Sequence, residues 1–221
     1  MSCSARRRTA APLAVVAAAG LLAAGCTRQI DDATPTAQSL AAPIVTTQVV
    51  DLLSPDVLGE EGNLFASAQP DRCAGLAREV DPPFIQDNWP LATDGGHWTA
   101  IGDTTVYVEE MVAVYPYDFD PTAALESMRG TIGECRGTTL TVTTMAGRTY
   151  SFDVGAPAAE GPEGSVVWTL RAVDWNCDNT FVAAYNAAIE ITACGAAGGF
   201  DIAALARQAL DRIDALANTT A

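Results

Sequence analysis

The clearest hydrophobic patterns lie in the second half of the chain. In "TTVYVEEMVAVYP" the alternate positions from Val106 to Val114 are valines except for Glu110, which is typical of a β-branched and aromatic strand. The stretch "TAALESMRGTIGECRG" instead places Ala124, Met128 and Ile132 four residues apart, which predicts a helix. Asp120-Pro121 opens this helix, and Asp120 is expected to cap its first turn.

The patterns that follow predict more strands and a closing helix. "TTLTVTTM" and "RTYSFDV" are separated by Ala146-Gly147 and indicate a hairpin. "SVVWTLRAVDW" and "TFVAAYNAAIEITACG" are read as two further strands joined near Cys177, with a bend at Asn186. "FDIAALARQALDRIDALA" places its apolar residues on one stripe, so an amphipathic helix ends the chain.

Weaker patterns precede these elements. Ser54-Pro55 suits a helix N-terminus, and "DRCAGLAREV" (71–80) reads as a second short helix. "NWPLATDGGHW" (88–98) is rich in turn formers and reads as a loop. Together the elements predict an α+β fold, an antiparallel sheet of about five strands with helices packed on it.

The first 25 residues have the pattern of an export signal. Arg6-Arg7-Arg8 precede an apolar run of about fifteen residues, which is shorter than the roughly 20 needed to span a bilayer. Small residues then lead directly into Cys26, as in a bacterial lipobox, although Ala23 stands where leucine is usual. We expect Cys26 to be acylated and to become the first mature residue, with plain secretion as the alternative.

The expected organisation has three parts. Residues 1–25 form the signal peptide, and residues 26–47 comprise the acylated cysteine and a flexible tether rich in Thr, Ala, Pro, Gln and Asp. Residues 48–221 form one folded domain, large enough to bury a proper core. The protein is therefore expected on the outer face of the cell membrane, held there by lipid.

Four cysteines remain once Cys3 leaves with the leader and Cys26 carries lipid. An even number in an exported chain indicates two disulfides, and four cysteines allow three pairings. Spacing favours Cys177–Cys194, which leaves Cys73–Cys135, but the sequence alone does not choose between the pairings. A metal site is disfavoured because no CxxC pair is present.

Charge excludes some classes of partner. The leader carries three arginines and no acid, so nine basic residues face 27 acidic ones afterwards, a net charge of −18. Nucleic acids and anionic headgroups require the opposite sign of surface, so neither is an expected partner. The chain contains no lysine, which excludes Schiff-base chemistry.

The residues offer little for catalysis. His97 is the only histidine, so any histidine-dependent hydrolase must use it, and its glycine-flanked position favours a mobile surface side chain. Glu109 and Glu110 are neighbours in a strand and must point to opposite faces. Asp118 and Asp120 form too small a ligand set for calcium. We expect a protein that is not an enzyme and that needs no cofactor.

The order of elements and cysteines resembles a known family. A half-cystine in a short helix, a second one ending an Ala-rich helix, the strand into "WNC" and the closing "YNAAIEITACG" are similar to extracellular sensor domains of the PknH type. Such domains occur in mycobacterial receptor kinases and in stand-alone lipoproteins. The resemblance covers roughly residues 48–218, and its most specific part runs from Asn186 through Glu190 to Cys194-Gly195.

The resemblance implies a fold and a function. It implies the pairings Cys73–Cys135 and Cys177–Cys194, and an antiparallel sheet whose helices enclose a V-shaped cleft for an unidentified ligand. The tryptophan usual before the second half-cystine is missing from Thr131 to Glu134, which alters one cleft wall. A lipid anchor is expected in place of the kinase and membrane helix of the receptors.

Aromatic and polar residues on or beside the strands are the candidates for the cleft wall, because such side chains combine rigid contact area with a polar tip. The candidates are Trp98, Tyr107, Tyr115, Trp168, Arg171, Tyr185 and Asn186, with Trp175 beside them. The alternative is that most of these rings pack in the core, and that Arg171 is a solvated edge charge rather than an anchor for an anion. The function expected is binding of an extracytoplasmic ligand; the alternative is a structural or protein-interaction module of the envelope.

Overall fold

The computed structural model describes residues 42–59, 62–156 and 160–219. The leader, Cys26 and the tether up to residue 41 lie outside these residues. The first described residues are bonded to the domain: the Ala42 amide donates to the carbonyl of Ala217, and the Ile44 amide donates to Asn186 Oδ1. Ala42 and Ile44, which belong to the expected tether, therefore pack on the domain.

A single curled antiparallel sheet dominates the described part of the chain. Its strands are β1 (Phe65–Gln69), β2 (Ala92–Ile101), β3 (Thr105–Val114), β4 (Thr139–Thr144), β5 (Thr149–Gly155), β6 (Ser165–Arg171), β7 (Asn176–Ala184) and β8 (Ala187–Gly195). They lie side by side in the order β1-β4-β5-β6-β7-β8-β3-β2. The α+β class is confirmed, but the sheet has eight strands instead of about five.

Three differences account for the larger sheet. Strand β1 has only five residues, too few for a clear alternation. Strand β2 occupies the stretch read as a loop, where Gly95 and Gly96 are needed because Met111 Sδ and Val57 approach their backbone closely. The last apolar run is two strands, and the bend expected at Asn186 is the tight turn between β7 and β8.

The helices lie on both sides of this sheet. They are α1 (Pro83–Gln86), α2 (Pro121–Cys135) and α3 (Ile202–Thr219), with 3₁₀ helices at Thr46–Leu52 and Asp71–Leu76. The predicted cap is confirmed, since Asp120 Oδ1 accepts the amides of Thr122 and Ala123. The helix start predicted at Ser54 is wrong, because the helical turn there ends at Leu52. None of the described helices is long and apolar enough to cross a membrane.

Two apolar layers cover the two faces of the sheet. The α2 face packs Trp168, Phe181 and Met128 beneath α2 and the Asp71–Leu76 turn. The α3 face packs Val112 and Ile189 against Ile213 of α3, with the N-terminal segment alongside. Strand residues alternate between these layers, as the pleat requires. The predicted apolar stripes of both long helices face their layers.

Both disulfides lie on the α2 face. Cys73 and Cys135 join the Asp71–Leu76 turn to the end of α2, with Cα atoms 5.8 Å apart. Cys177 and Cys194 are direct partners in the register of β7 and β8, 4.1 Å apart at Cα. The pairing implied by the family resemblance is therefore the pairing in the structure.

Candidate functional site

A cleft opens on the α2 face where the sheet curls. It has a cavity volume of about 310 Å³. One wall comes from β3 and β8, through Tyr107, Glu109 and Cys194, and the other from β1 and the β4–β5 hairpin. Strands β6 and β7 separate these walls within the sheet, so only its curvature brings them face to face. The turn between β6 and β7 adds Trp175 to the lining.

A row of aromatic rings connects the two walls. The ring of Tyr107 lies 5.6 Å from that of Trp175, and Trp175 lies 6.2 Å from Tyr150 of β5. Tyr150 in turn lies 6.0 Å from Phe65 of β1. These are ordinary contact distances between aromatic rings. The row therefore forms a continuous aromatic surface whose members also border the cavity.

Arg148 supplies a positive charge to the cavity lining. It follows the hairpin turn between β4 and β5, and its guanidinium lies 5.7 Å from the centre of the Tyr150 ring. Its Nη1 also donates to Tyr150 Oη at 3.1 Å. These two contacts hold Arg148 over the aromatic surface.

Two glutamates from different elements line the same cavity. Glu79 follows the Asp71–Leu76 turn, and its Oε2 accepts the Phe65 amide at 2.7 Å. Burial raises the pKa of Glu79 to about 8, although this amide works in the opposite direction. Glu109 of β3 is half-buried, and loss of water raises the pKa of its carboxyl to about 7.

A third glutamate, Glu190 of β8, lies next to them. Glu190 is opposite Met111 in the β3–β8 register, and it borders a small cavity of about 20 Å³ together with Glu79 and Glu109. It is 94 % buried, and its Oε2 has no hydrogen-bond partner. Burial, and then the charge of Glu79, raise its pKa well above the ordinary value. Glu79 and Glu109 border both cavities, so the three carboxyls lie around two adjacent cavities on the α2 face.

The neighbouring Glu110 belongs to a different environment, as its strand position predicts. It points to the α3 face, where Arg212 of α3 donates to Oε1 and the Ser54 amide donates to Oε2 at 2.6 Å. Glu109 and Glu110 therefore do not share a site, and this prediction is confirmed.

Of the seven predicted ligand contacts, Tyr107 borders the cavity of the cleft, and so does Trp175, the further aromatic candidate beside them. Tyr115 and Trp168 are completely buried, with their polar tips bonded to the carbonyls of Ile85 and Leu76. Trp98 packs in the α3 layer, on the opposite face of the sheet. These three rings belong to the core. Trp98 lies on the face of the sheet opposite the cleft, and Tyr115 and Trp168 are covered by the helical segments that contain Ile85 and Leu76.

The three remaining candidates have structural contacts. Arg171 forms an ion pair with Asp178 and donates to the carbonyl of Cys177, so it is not a free anchor for an anion. Tyr185 and Asn186 form the turn between β7 and β8, away from the cleft lining. The side-chain amide of Asn186 donates hydrogen bonds to the carbonyls of Ile44 and Tyr115.

His97 differs from its prediction as a mobile surface residue. It lies within β2, its backbone pairs with Leu58 and Gly59, and its Nδ1 is buried without a hydrogen-bond partner. It is opposite Glu109 in the register but does not border the cleft cavity. Among the described residues, no group of three His, Cys, Asp or Glu side chains is arranged to hold a metal ion.

One of the residues that sequence reasoning missed had a readable signal. Glu190 stands between two isoleucines in an apolar run, whereas Glu79 directly follows Arg78 and has no such signal. A carboxyl in such surroundings is rarely buried without a role. Arg148 and Tyr150 carried no signal beyond the hairpin pattern, because only the curl of the sheet brings them to β3.

Comparisons with known proteins agree with this architecture. The model of the PknH-like extracellular domain family matches residues 41–212. The chain belongs to the PknH-like extracellular domain family. The crystal structure of the extracellular domain of PknH from Mycobacterium tuberculosis matches this PknH-like domain with a TM-score of 0.61 at 19 % identity. The match covers 80 % of this chain and 98 % of that one, which establishes a common fold. No curated protein matches the chain.

Proposed function

We propose that this PknH-like domain binds a small extracytoplasmic ligand non-covalently in the cleft on the α2 face. One observation carries the proposal: the cavity of about 310 Å³ is lined by aromatic rings and by carboxyls that have little hydrogen bonding of their own. Small-molecule sites are concave, mostly apolar, and contain a few polar groups that orient the ligand. The volume lies at the lower end of the range for such sites. The proposal assigns no catalytic step.

A thermal-shift screen tests the binding proposal. The full chain would be heated with envelope lipids, glycans and small charged molecules, and a ligand of the cleft is expected to raise the Tm. Trp175→Ala should abolish that shift because the ring lies in the cavity lining. Trp89→Ala is the matched control, since Trp89 is 83 % exposed and lies outside the lining. Absence of a shift with every class of compound would contradict the proposal.

The second part of the proposal concerns location. The export signal and Cys26 support a lipid-anchored protein on the outer face of the membrane, and membership of an extracellular domain family agrees with that side. Mass spectrometry of the membrane fraction should find a diacylglyceryl group and a fatty acyl chain on Cys26. An unmodified Cys26, or a Cys26→Ala protein that stays with the membrane, would overturn the anchor.

A protein-interaction module is the second candidate. Three strongly exposed apolar side chains favour it: Trp89 and Leu91 just before β2, and Tyr117 just after β3. Soluble domains usually expose such rings singly. If a partner uses them, the double variant Trp89→Ser/Tyr117→Ser should lose a cross-linked envelope partner that Trp175→Ala retains. Equal cross-linking by both variants would exclude this surface.

A further inference from the structure

The chemical class of the ligand follows from the charges that line the cleft. Resting on the proposed binding function, we infer that the cleft binds an organic ammonium ion, held between the carboxyls of Glu79 and Glu109 and the rings of Tyr107, Tyr150 and Trp175. Each of these five side chains borders the same cavity. Glu190 adds a third carboxyl from the small cavity beside it.

The acidic groups of the cleft lack a positive partner within the described residues. None of the ion pairs there involves Glu79, Glu109 or Glu190. Arg148 is the basic residue of the cavity lining, and its guanidinium is engaged with Tyr150. A buried carboxyl without a counter-charge is unfavourable, and a bound cation removes that cost.

Glu190 also supports a bound cation. Its Oε2 is buried beside Glu79 and Glu109 and accepts no hydrogen bond. Buried carboxylates in proteins are normally paired or hydrogen-bonded, and Glu110 on the other face of the same sheet is both. The orphan oxygen therefore lacks a donor, and an ammonium group in the adjoining cleft would bring positive charge close to it.

The aromatic rings suit an organic cation more than a bare metal ion. Tyr107, Trp175 and Tyr150 are consecutive neighbours with ring centres 5.6 and 6.2 Å apart. The Tyr150 ring already has one cation over it, the guanidinium of Arg148 at 5.7 Å, and aromatic rings attract alkylated ammonium ions in the same way. A metal ion would need several oxygen ligands converging on one point, and the described residues contain no such group.

The protonation of the glutamates gives the inference a pH dependence. The pKa of Glu79 is raised to about 8 and that of Glu109 to about 7, both mainly by burial. Binding of a cation favours their ionised forms, so it should release protons and weaken as the pH falls from about 8 to about 5. The other described titratable groups facing this space are Arg148, Tyr107, Tyr150 and Glu190, with His97 opposite Glu109 on β2.

Isothermal titration of the full chain tests this inference. The probes are choline, tetramethylammonium and putrescine, together with acetate and the uncharged carbon isostere of choline. At least one ammonium ion should bind saturably at about pH 8, and the isostere of choline should bind at least about tenfold more weakly than choline. Glu109→Gln should weaken ammonium binding about tenfold, because it removes charge at constant size. Glu126→Gln, on the exposed side of α2, should leave binding unchanged.

The outcomes separate this inference from the function on which it rests. Equal binding of choline and its isostere, or no loss in Glu109→Gln, overturns the assignment of a cation. Saturable binding of the isostere or of acetate alone overturns it too, but leaves the cleft as a binding site. Binding of none of the probes overturns the cation, and the screen with lipids and glycans then decides whether the cleft binds anything.

Discussion

The buried acidic side chains on the two faces of the sheet differ in how many hydrogen-bond and ion-pair partners they have. On the α3 face, Glu110 forms an ion pair with Arg212 and accepts a hydrogen bond from a backbone amide. Asp178 forms an ion pair with Arg171 and accepts hydrogen bonds from two amides of the segment before α3. On the α2 face, Glu79 receives one backbone amide, and Glu190 has an oxygen without a partner. Glu109 and Glu110 are consecutive residues, so the pleat alone places one carboxylate in each environment.

The comparison extends to other polar atoms. Four buried side-chain nitrogen or oxygen atoms in the described part of the chain lack a hydrogen-bond partner, in Arg78, His97, Asn179 and Glu190. The last three point to the α2 side by their strand register, and Arg78 lies in the segment that covers this side. These buried polar atoms without a partner therefore lie on the α2 side, and Glu190 is the one among them that borders a cavity at the cleft. This difference supports the proposal that the cleft on the α2 face binds a ligand.

The largest expected effect comes from breaking the ion pair on the α3 face. Arg212→Ala leaves Glu110 buried without its cation, so the free energy of unfolding should fall by about 3–5 kcal/mol. Urea denaturation with intact disulfides measures it. The matched control is Arg207→Ala on the same helix, whose contact with Asp201 is long and exposed. That variant should stay within about 0.5 kcal/mol of wild type. A loss in Arg212→Ala no larger than the control would show that the α3 face is not stabilised by this pair.

The two consecutive glutamates give the sharpest test of the comparison. Glu110→Gln should lower the free energy of unfolding by about 2 kcal/mol, because Arg212 loses a charged acceptor. Glu109→Gln should not lower it, because this carboxyl has no hydrogen bond or ion pair in the described part of the chain and burial penalises its charge. Both changes preserve size, so urea denaturation of the two variants isolates the effect of charge. A larger loss in Glu109→Gln than in Glu110→Gln would contradict this difference between the two faces.

The pH dependence of stability should depend on Glu79. Its pKa is raised from 4.5 to about 8 in the folded protein, so the folded chain keeps a proton that the unfolded chain has lost. The stability from this group is complete below about pH 4.5 and is lost as the pH rises to about 8, with a slope of up to roughly 1.4 kcal/mol per pH unit. Urea denaturation between pH 5 and pH 8 should show a shallower slope in Glu79→Gln. Glu126→Gln should keep the wild-type slope, and an unchanged slope in Glu79→Gln would refute the raised pKa.

The fold was predictable from sequence where the hydrophobic period is strong. Strand β3, helix α2 with its Asp120 cap, the β4–β5 hairpin and helix α3 all lie where their patterns predict them. Strand β2 was missed because it lies at the edge of the sheet and carries two glycines, so its residues follow no apolar alternation. Strand β1 is held mainly by pairing with β4, a contact between distant segments that local sequence does not encode.

The candidate site was less predictable than the fold. The sequence pattern places aromatic residues on strands, but their burial depends on the order of the strands in the sheet. Trp168 lies in the middle of the sheet under Phe84, while Tyr107 lies near an edge. The cleft joins β3 to the β4–β5 hairpin across the curl of the sheet, and curvature is not visible in a two-residue period. The rule that two carboxyls of one site must share a face does not detect a single carboxyl in an apolar run, such as Glu190.

The smallest expected change in stability concerns Tyr107, a predicted ligand contact that does line the cleft. Tyr107 is 48 % exposed, so Tyr107→Ala should lower the free energy of unfolding by no more than about 1 kcal/mol. The same change removes a ring that faces the proposed cation, so the affinity for choline should fall about fivefold or more in isothermal titration. Tyr115→Ala is the counterpart: it deletes a completely buried ring and should cost about 3–5 kcal/mol. If Tyr107→Ala instead destabilised the fold as much as Tyr115→Ala does, its ring would be part of the core, and the aromatic wall of the cleft would have a structural role instead of one in recognition.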